Sequence, residues 1–439
     1  MDAEKIADQI IKNKERLLNV VSIVLTIVII IAFLTWISSV LTRESRNCDT
    51  MNDLYSASNT SNDPQLASVY DVYELENVQV GLQDFYIKTA YNCCSAGDYK
   101  NSFVSTCALK NCISQGARGL DFEIYSISNN PVIATSSTSS CKIKETYNSL
   151  PFEEAMETVA SYAFNSGFTS QWKDPIIFHF RFRTCPNNIE LYGSMANILM
   201  ATFNDRLLSS YNFKYARECI ELSGNSVTYN SLGDGIFCPM SELQGKVVII
   251  CESLPPALKL CTPSLETPEK NAGPCTLYDL INGVGNGQVC YSETWDNLTA
   301  DVAGESVQDE ISKFKTVLGI CTPTVGSSPI NPNFLACKTF GIQMTAMCFQ
   351  NFDENLEVYD LFFNGLDGSG NPILSDASGA TVNDVTRPCG FMLKPSNKRP
   401  DATVFVVSPD RQTNVAPFAD TSTDFNGTAV FLPGTGHSS

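Results

Sequence analysis

The chain has 439 residues, enough to bury one large domain or two ordinary ones, and 43% of them are hydrophobic against 17% charged. Asp and Glu number 47 against 29 Lys and Arg, and the formal charge of -18 with no basic stripe excludes a nucleic-acid surface built on clustered cations. The two histidines, His179 and His437, argue against a histidine metal cluster and against a conventional Ser-His or Cys-His catalytic pair.

Residues 1–16 form a short charged segment that runs directly into Leu17 to Leu41, which carries no charge. As a helix this apolar stretch reaches about 37 Å, enough to cross a hydrocarbon core, and Trp36 near its end suits an interfacial indole. A cleaved signal peptide is the competing reading, but its apolar region is usually shorter and followed by a small-residue cleavage site, so a membrane anchor is expected. Lys5, Lys12, Lys14 and Arg16 precede the span, against Arg43 and Arg46 after it. That bias places the amino terminus in the cytoplasm and the large carboxy-terminal part on the other side.

All 17 cysteines follow the span, from Cys48 to Cys389, which fits a compartment that permits disulfides and leaves at least one thiol unpaired. Zinc is the rival explanation, yet no CxxC pair repeats at ligand spacing, and Cys93 with Cys94 is vicinal. Asn59, Asn297 and Asn426 head glycan acceptor tripeptides and are expected to make the chain a glycoprotein. Residues 42–78, rich in Ser, Asn, Asp and Thr, read as a stalk.

The folded body begins with the strand pattern Phe85-Tyr86-Ile87, and Lys246 to Ile250 gives another. Between them Phe152 to Phe164 and Leu191 to Leu208 have helical spacing, and Asp174-Pro175 opens a strand from Ile176 to Arg183, the order of successive β-α units. Within 115–137 a strand, a turn and a second strand follow one another. Period-two alternation from Leu120 to Tyr125 puts Asp121 and Glu123 on one face. Two acids so placed are either ligands for a hard cation such as calcium or the solvated face of a half-buried strand. His179, Arg181 and Arg183 alternate with Phe178, Phe180 and Phe182, giving that strand one basic and one apolar face.

Several of these pieces resemble the eukaryotic phosphoinositide-specific phospholipases C. Phe85 to Asn92 is similar to the strand entering the family's His-Asn motif, and GARGLDFEIY resembles Gly-x-Arg-x-Leu-Glu-x-Asp. AFNSGF with DPIIFHF resembles AF-x-x-S…P-V-I-L-S, and PMSELQGKVVII the close of the first catalytic half. Ser327 to Pro332 resembles S-S-N-Y-N-P, Gln343 to Gln350 resembles Q-M-V-A-L-N-F-Q, and Cys389 to Pro395 resembles C-G-Y-V-L-K-P. The pieces stand in the family's order. They imply an α/β fold, a distorted (β/α)8 barrel of the TIM type split by an insertion. The expected organisation is a first half at 79–251, a Cys-rich linker at 252–322 with Cys261, Cys275, Cys290 and Cys321 as staples, a second half at 323–400, and a tail at 401–439. The tail leaves no room for the family's lipid-binding β-sandwich.

The resemblance also implies a chemistry: two histidines that handle protons and phosphoryl oxygens, and a calcium held by carboxylate or amide groups. The first histidine falls on Tyr91, a poor base near neutral pH, and the second on Thr135. Of the metal ligands, Asn92 is kept, Asp121 and Glu123 are kept in exchanged form, and the last carboxylate becomes Arg181. A permanent cation there opposes a divalent ion. Arg181 is expected to point into the barrel mouth and pair with Asp121 or Glu123; a register two residues off would turn it to solvent. The family's inositol-phosphate contacts fall on Ile250, Glu252, Thr324 and Ile330.

The expectation is therefore a membrane-anchored pseudoenzyme with no catalytic residue, no metal and no cofactor. It would act as a scaffold that holds protein partners beside a bilayer, capsid or coat proteins of a large DNA virus among them. A cellular surface glycoprotein fits the same features. A lipid-headgroup or small-ligand protein, or a residual phosphodiesterase, is the alternative, and fold analogy cannot decide between them.

Overall fold

A computed structural model describes residues 3–56, 66–73, 75, 80–139, 143–184, 188–208, 239–261, 273–285, 290–304, 307–367 and 388–399. Its strands are β1 (Phe85–Ile87), β2 (Thr89–Ala90), β3 (Gly119–Ile127), β4 (Asn130–Ile133), β5 (Leu150–Pro151), β6 (Ile176–Phe182), β7 (Val247–Cys251), β8 (Gly283–Val284), β9 (Cys290–Thr294), β10 (Leu318–Thr322), β11 (Met344–Met347) and β12 (Phe391–Leu393). Eight of them run parallel in the spatial order β8-β7-β6-β3-β2-β11-β10-β9, a nearly closed barrel wrapped by helices. β1 and β12 pair antiparallel as a separate ribbon.

The alternation in β3 and β6 fixes which side chains face the axis. Their register sets Asp121 beside His179 and Glu123 beside Arg181, all on the inside. The other face carries Phe122, Phe178, Phe180 and Phe182. Phe122 packs on Phe178 with ring centroids 5.7 Å apart, Phe180 on Phe152 at 5.6 Å, and Phe178 on Phe203 at 5.5 Å. Phe152 and Phe203 belong to the helices Phe152–Ala163 and Ile189–Phe203, whose apolar stripes seal the aromatic layer. The apolar effect thus acts on the outside of the strands, and the interior above the barrel's waist is free to hold charge.

β8 and β9 share no backbone ladder and close the ring by contact. Gly285 makes this possible: a Cβ there would lie 2.6 Å from Ser292 Cβ and 2.9 Å from the Glu252 carbonyl oxygen.

The amino-terminal helix α1 runs Ala3–Leu41 and is followed by α2 (Arg43–Ser56). Its stretch Gln9–Leu41 is long and apolar enough to cross a membrane and lies wholly outside the core. α2 steps down the helix Thr106–Ser114: Arg43 Nη1 donates to the Asn101 carbonyl at 2.5 Å, Asn47 Nδ2 to Ser102 Oγ at 3.1 Å, and Asn111 Nδ2 to Asn52 Oδ1 at 2.7 Å. Cys48 is disulfide-bonded to Cys107. The helix Thr106–Ser114 descends from the ends of the parallel strands toward their beginnings, so α2 does too. α1 therefore leaves on the side of the barrel mouth.

Two expected segments are corrected. Residues 43–56 are not stalk: they form a helix that buries Met51 and Tyr55, and Tyr55 Oη donates to the Phe349 carbonyl at 2.5 Å. Residues 252–322 are not merely linker, since β8, β9 and β10 lie within them. β8 is two residues long, and β9 directs polar Ser292 and Glu293 at its neighbours, so neither has the apolar pattern by which strands are read. Cys261 does pair with Cys275, but Cys290 and Cys321 are buried free thiols in β9 and β10 rather than staples. Asn297 is exposed in a helix, while Asn59, Asn426 and the tail at 401–439 lie outside the described residues.

A valine at Gly285 must push β9 outward, and overpacking of this kind costs about 1–3 kcal/mol. Gly326, with open space around its would-be Cβ, should accept alanine with little change. Urea midpoints of Gly285→Val and Gly326→Ala against the parent protein check the contrast.

Candidate functional site

At the carboxy-terminal ends of β2, β3, β6 and β7 the interior side chains form a ladder of buried charge. Asp121 is fully buried and takes four donors. Arg181 Nε lies 3.0 Å from Oδ2, Arg181 Nη2 donates to Oδ1 at 2.9 Å, the Asn92 backbone N–H to Oδ1 at 3.0 Å, and His179 Nδ1 faces Oδ2 at 2.7 Å. An ionised carboxylate only accepts, so Nδ1 carries the proton. Asn92 has φ of +42°, a left-handed turn that asparagine tolerates and that aims its N–H and side chain back at the site.

One rung higher, Tyr125 Oη donates to Glu123 Oε1 at 3.0 Å and Arg183 Nε to the same oxygen at 3.3 Å. Arg183 Nη1 continues to Glu252 Oε2 at 2.7 Å. Three carboxylates are thus threaded by two guanidiniums. Burial works against the Asp121 charge, but Arg181 and His179 outweigh it and hold the carboxyl well below the usual range. Burial pushes the Glu123 carboxyl up, with Arg181 and Arg183 opposing only in part. Arg181 is nearer to Asp121 than to Glu123, which accounts for the opposite directions. For Arg181 itself, burial disfavours the charge, but Asp121 overcomes it and keeps the guanidinium ionised.

Arg181 Nη2 is the centre of this arrangement. It meets Asn92 Oδ1 at 2.6 Å, Asp121 Oδ1 at 2.9 Å and Glu123 Oε2 at 3.7 Å, three oxygens converging on one nitrogen. Beneath it the Tyr91 ring takes the guanidinium carbon at 4.5 Å, a cation–π contact. Tyr91 packs edge-on against Tyr99, and Tyr99 Oη donates to Cys348 Sγ at 2.9 Å. Thr135 Oγ1 donates to the Tyr99 carbonyl at 3.0 Å. The two positions expected to have lost histidines are thus bridged by a tyrosine.

Of the residues singled out from sequence, Tyr91, Asn92, Asp121, Glu123, Arg181 and Glu252 meet in this ladder, and Thr135 is linked through Tyr99. Ile250 is a fully buried strand residue in β7, while half-buried Thr324 and exposed Ile330 sit on the rim loop after β10, apart from the ladder. Tyr125 was legible as the next residue on the Asp121 and Glu123 face. Ser292 was not: its Oγ lies 3.1 Å from His179 Nε2, which lines up hydroxyl, imidazole and carboxylate in the order of a nucleophilic triad. Composition argued against a Ser-His pair, and the geometry contains one. Its imidazole is fully buried, however, and its carboxylate is already neutralised by Arg181.

No family model matches the chain, and no curated protein matches it by sequence. Solved structures do. PLC21 of S. officinalis superimposes with a TM-score of 0.50 at 13% identity, covering 77% of this chain and 40% of that one. PLC21 of L. pealei gives 0.49 at 16% identity, covering 76% and 40%. A calcium-dependent phosphoinositol-specific phospholipase C from Pseudomonas sp gives 0.34 at 11%, covering 64% and 94%. The chain has a phospholipase C-like barrel and spans less than half the length of the PLC21 chains.

Breaking a buried charge pair from one side costs about 3–5 kcal/mol, so Arg181→Met should lower the stability of the folded chain by that order in urea titrations. Asp121 has a folded pKa below its unfolded value of about 3.9, so its contribution is complete above that pH and is lost as pH falls through the folded value. The stability gap between parent and Asp121→Asn should therefore be widest near neutral pH and close below about pH 4.

Proposed function

We propose that the chain is a membrane-anchored, phospholipase C-like pseudoenzyme that serves as a scaffold. The observation that supports this is the placement of Arg181 Nη2 among Asn92, Asp121 and Glu123, the positions at which the family resemblance puts calcium ligands. A guanidinium and a divalent ion cannot share those oxygens, so the residues present do not fit the metal and no catalytic step runs through one. Tyr91, with its phenol raised further by burial, supplies no base near neutral pH.

The scaffold holds its barrel mouth toward the bilayer, because α1 leaves on that side. The opposite face, around the β1–β12 ribbon, is directed away from the membrane and is where the scaffold would meet a protein partner. A coat or capsid layer apposed to the membrane suits that arrangement, with the carboxy-terminal domain on the non-cytoplasmic side of the anchor.

Three assays test the reading. Incubated with calcium and vesicles containing phosphoinositides, the full chain should release no soluble inositol phosphates, and a fluorophosphonate probe should leave Ser292 unlabelled. Calcium-dependent release, or labelling abolished by Ser292→Ala, would make the chain an enzyme. Cross-linking in the native membrane should return protein neighbours on the membrane-distal face; a co-purifying lipid in the barrel mouth without such neighbours would favour a headgroup-binding role.

A further inference from the structure

The junction between anchor and barrel encloses a polar cleft distinct from the charged ladder. Its volume is about 840 Å3, and its walls are the first turns of α2 and the rim loops that follow β2, β10 and β11, with Arg43, Arg46, Asn47, Asp98, Ser328 and Gln350 among the lining residues. Two arginines on one wall are unusual in a chain of charge -18.

Neither arginine forms an ion pair with a described carboxylate. Arg43 spends Nη1 on the Asn101 carbonyl, and Arg46 spends Nη2 on the Ser39 carbonyl at 2.8 Å and on Ser39 Oγ at 3.4 Å. Each guanidinium carries five N–H donors, so most of them remain for a ligand. The planar fork matches phosphate oxygens in pairs, and Asn47, Ser328 and Gln350 add neutral polar groups.

Position along the chain identifies where such a phosphate comes from. Arg43 and Arg46 follow the apolar span, which ends at Leu41, by two and five residues. With Leu41 set at the edge of the hydrocarbon, 1.5 Å per residue starts the cleft roughly 3 to 8 Å beyond it. The headgroup layer on each side of a bilayer is itself roughly 5 to 8 Å deep. Cleft and headgroups therefore occupy the same depth.

We infer that this cleft binds the phosphate of an anionic phospholipid headgroup in the leaflet through which α1 leaves, and so fixes the barrel mouth-down on the membrane. The inference rests on the reading that α1 spans a bilayer. Exposed Asp98 on the cleft wall opposes an anion and limits the affinity.

The test uses the full chain in nanodiscs of phosphatidylcholine with a minor fraction of phosphatidylglycerol, and measures by native mass spectrometry how far phosphatidylglycerol is enriched on the protein. Each arginine near a membrane surface contributes about 1 kcal/mol to anionic-lipid binding. Arg43→Ala with Arg46→Ala should therefore reduce the enrichment about tenfold or more. Asp98→Asn should raise it, an opposite change that misfolding cannot produce. A chain that enters nanodiscs and shows equal enrichment in all three forms overturns the inference and leaves the anchor intact. Failure to enter nanodiscs overturns the anchor and the inference with it. Displacement of the lipid by inorganic phosphate at matching concentration would reassign the cleft to a soluble anion and overturn the lipid.

Discussion

A charge buried in a barrel interior must be matched, and here one guanidinium matches most of the mouth. Arg181 reaches Asp121, Asn92 and Glu123 and rests on Tyr91, so β3 and the end of β2 converge on a single side chain of β6. The pairing follows from register. β3 and β6 are parallel neighbours with Glu123 opposite Arg181 and Asp121 opposite His179, and the phenylalanines between those residues are taken by the helices outside. Slipping either strand by one residue would exchange charge for aromatic on both faces.

Such a lattice confers less net stability than its number of bonds suggests, since desolvation offsets most of the Coulomb gain. What it confers is a unique arrangement, because most of the site's polar atoms are paired with one another. Asn92 Nδ2 and Glu123 Oε2 are the atoms left without hydrogen bonds, and both border the guanidinium. A mouth so filled lies on the side at which α1 leaves, and its charges answer one another within the barrel.

Much of this was legible in the sequence, and the reason is periodicity. A strand buried on both faces still alternates, so spacing put Asp121 and Glu123 on one face, and the resemblance to the family's motifs turned that face, with Arg181, toward the axis. Order of motifs, rather than any one of them, indicated the barrel. Where legibility failed, the cause was local: β8 and β9 are short, and β9 turns Ser292 inward, so a barrel wall read as linker. His179 and Ser292 are 113 residues apart, and only the closure of the ring at Gly285 brings them together. α2 was hidden by a composition rich in polar residues, and its packing depends on Met51, Tyr55 and the bond from Cys48 to Cys107.

The measurement that bears most directly on the central claim is the coupling energy between Asp121 and Arg181. A double-mutant cycle of Asp121→Asn and Arg181→Met, read by urea unfolding at neutral pH, isolates their interaction from the cost of each substitution. A guanidinium that organises the mouth predicts coupling toward the upper part of the range of about 0.5–3 kcal/mol seen for residues in one network. Additivity within about 0.3–0.5 kcal/mol would contradict it and leave Arg181 as one buried cation among several.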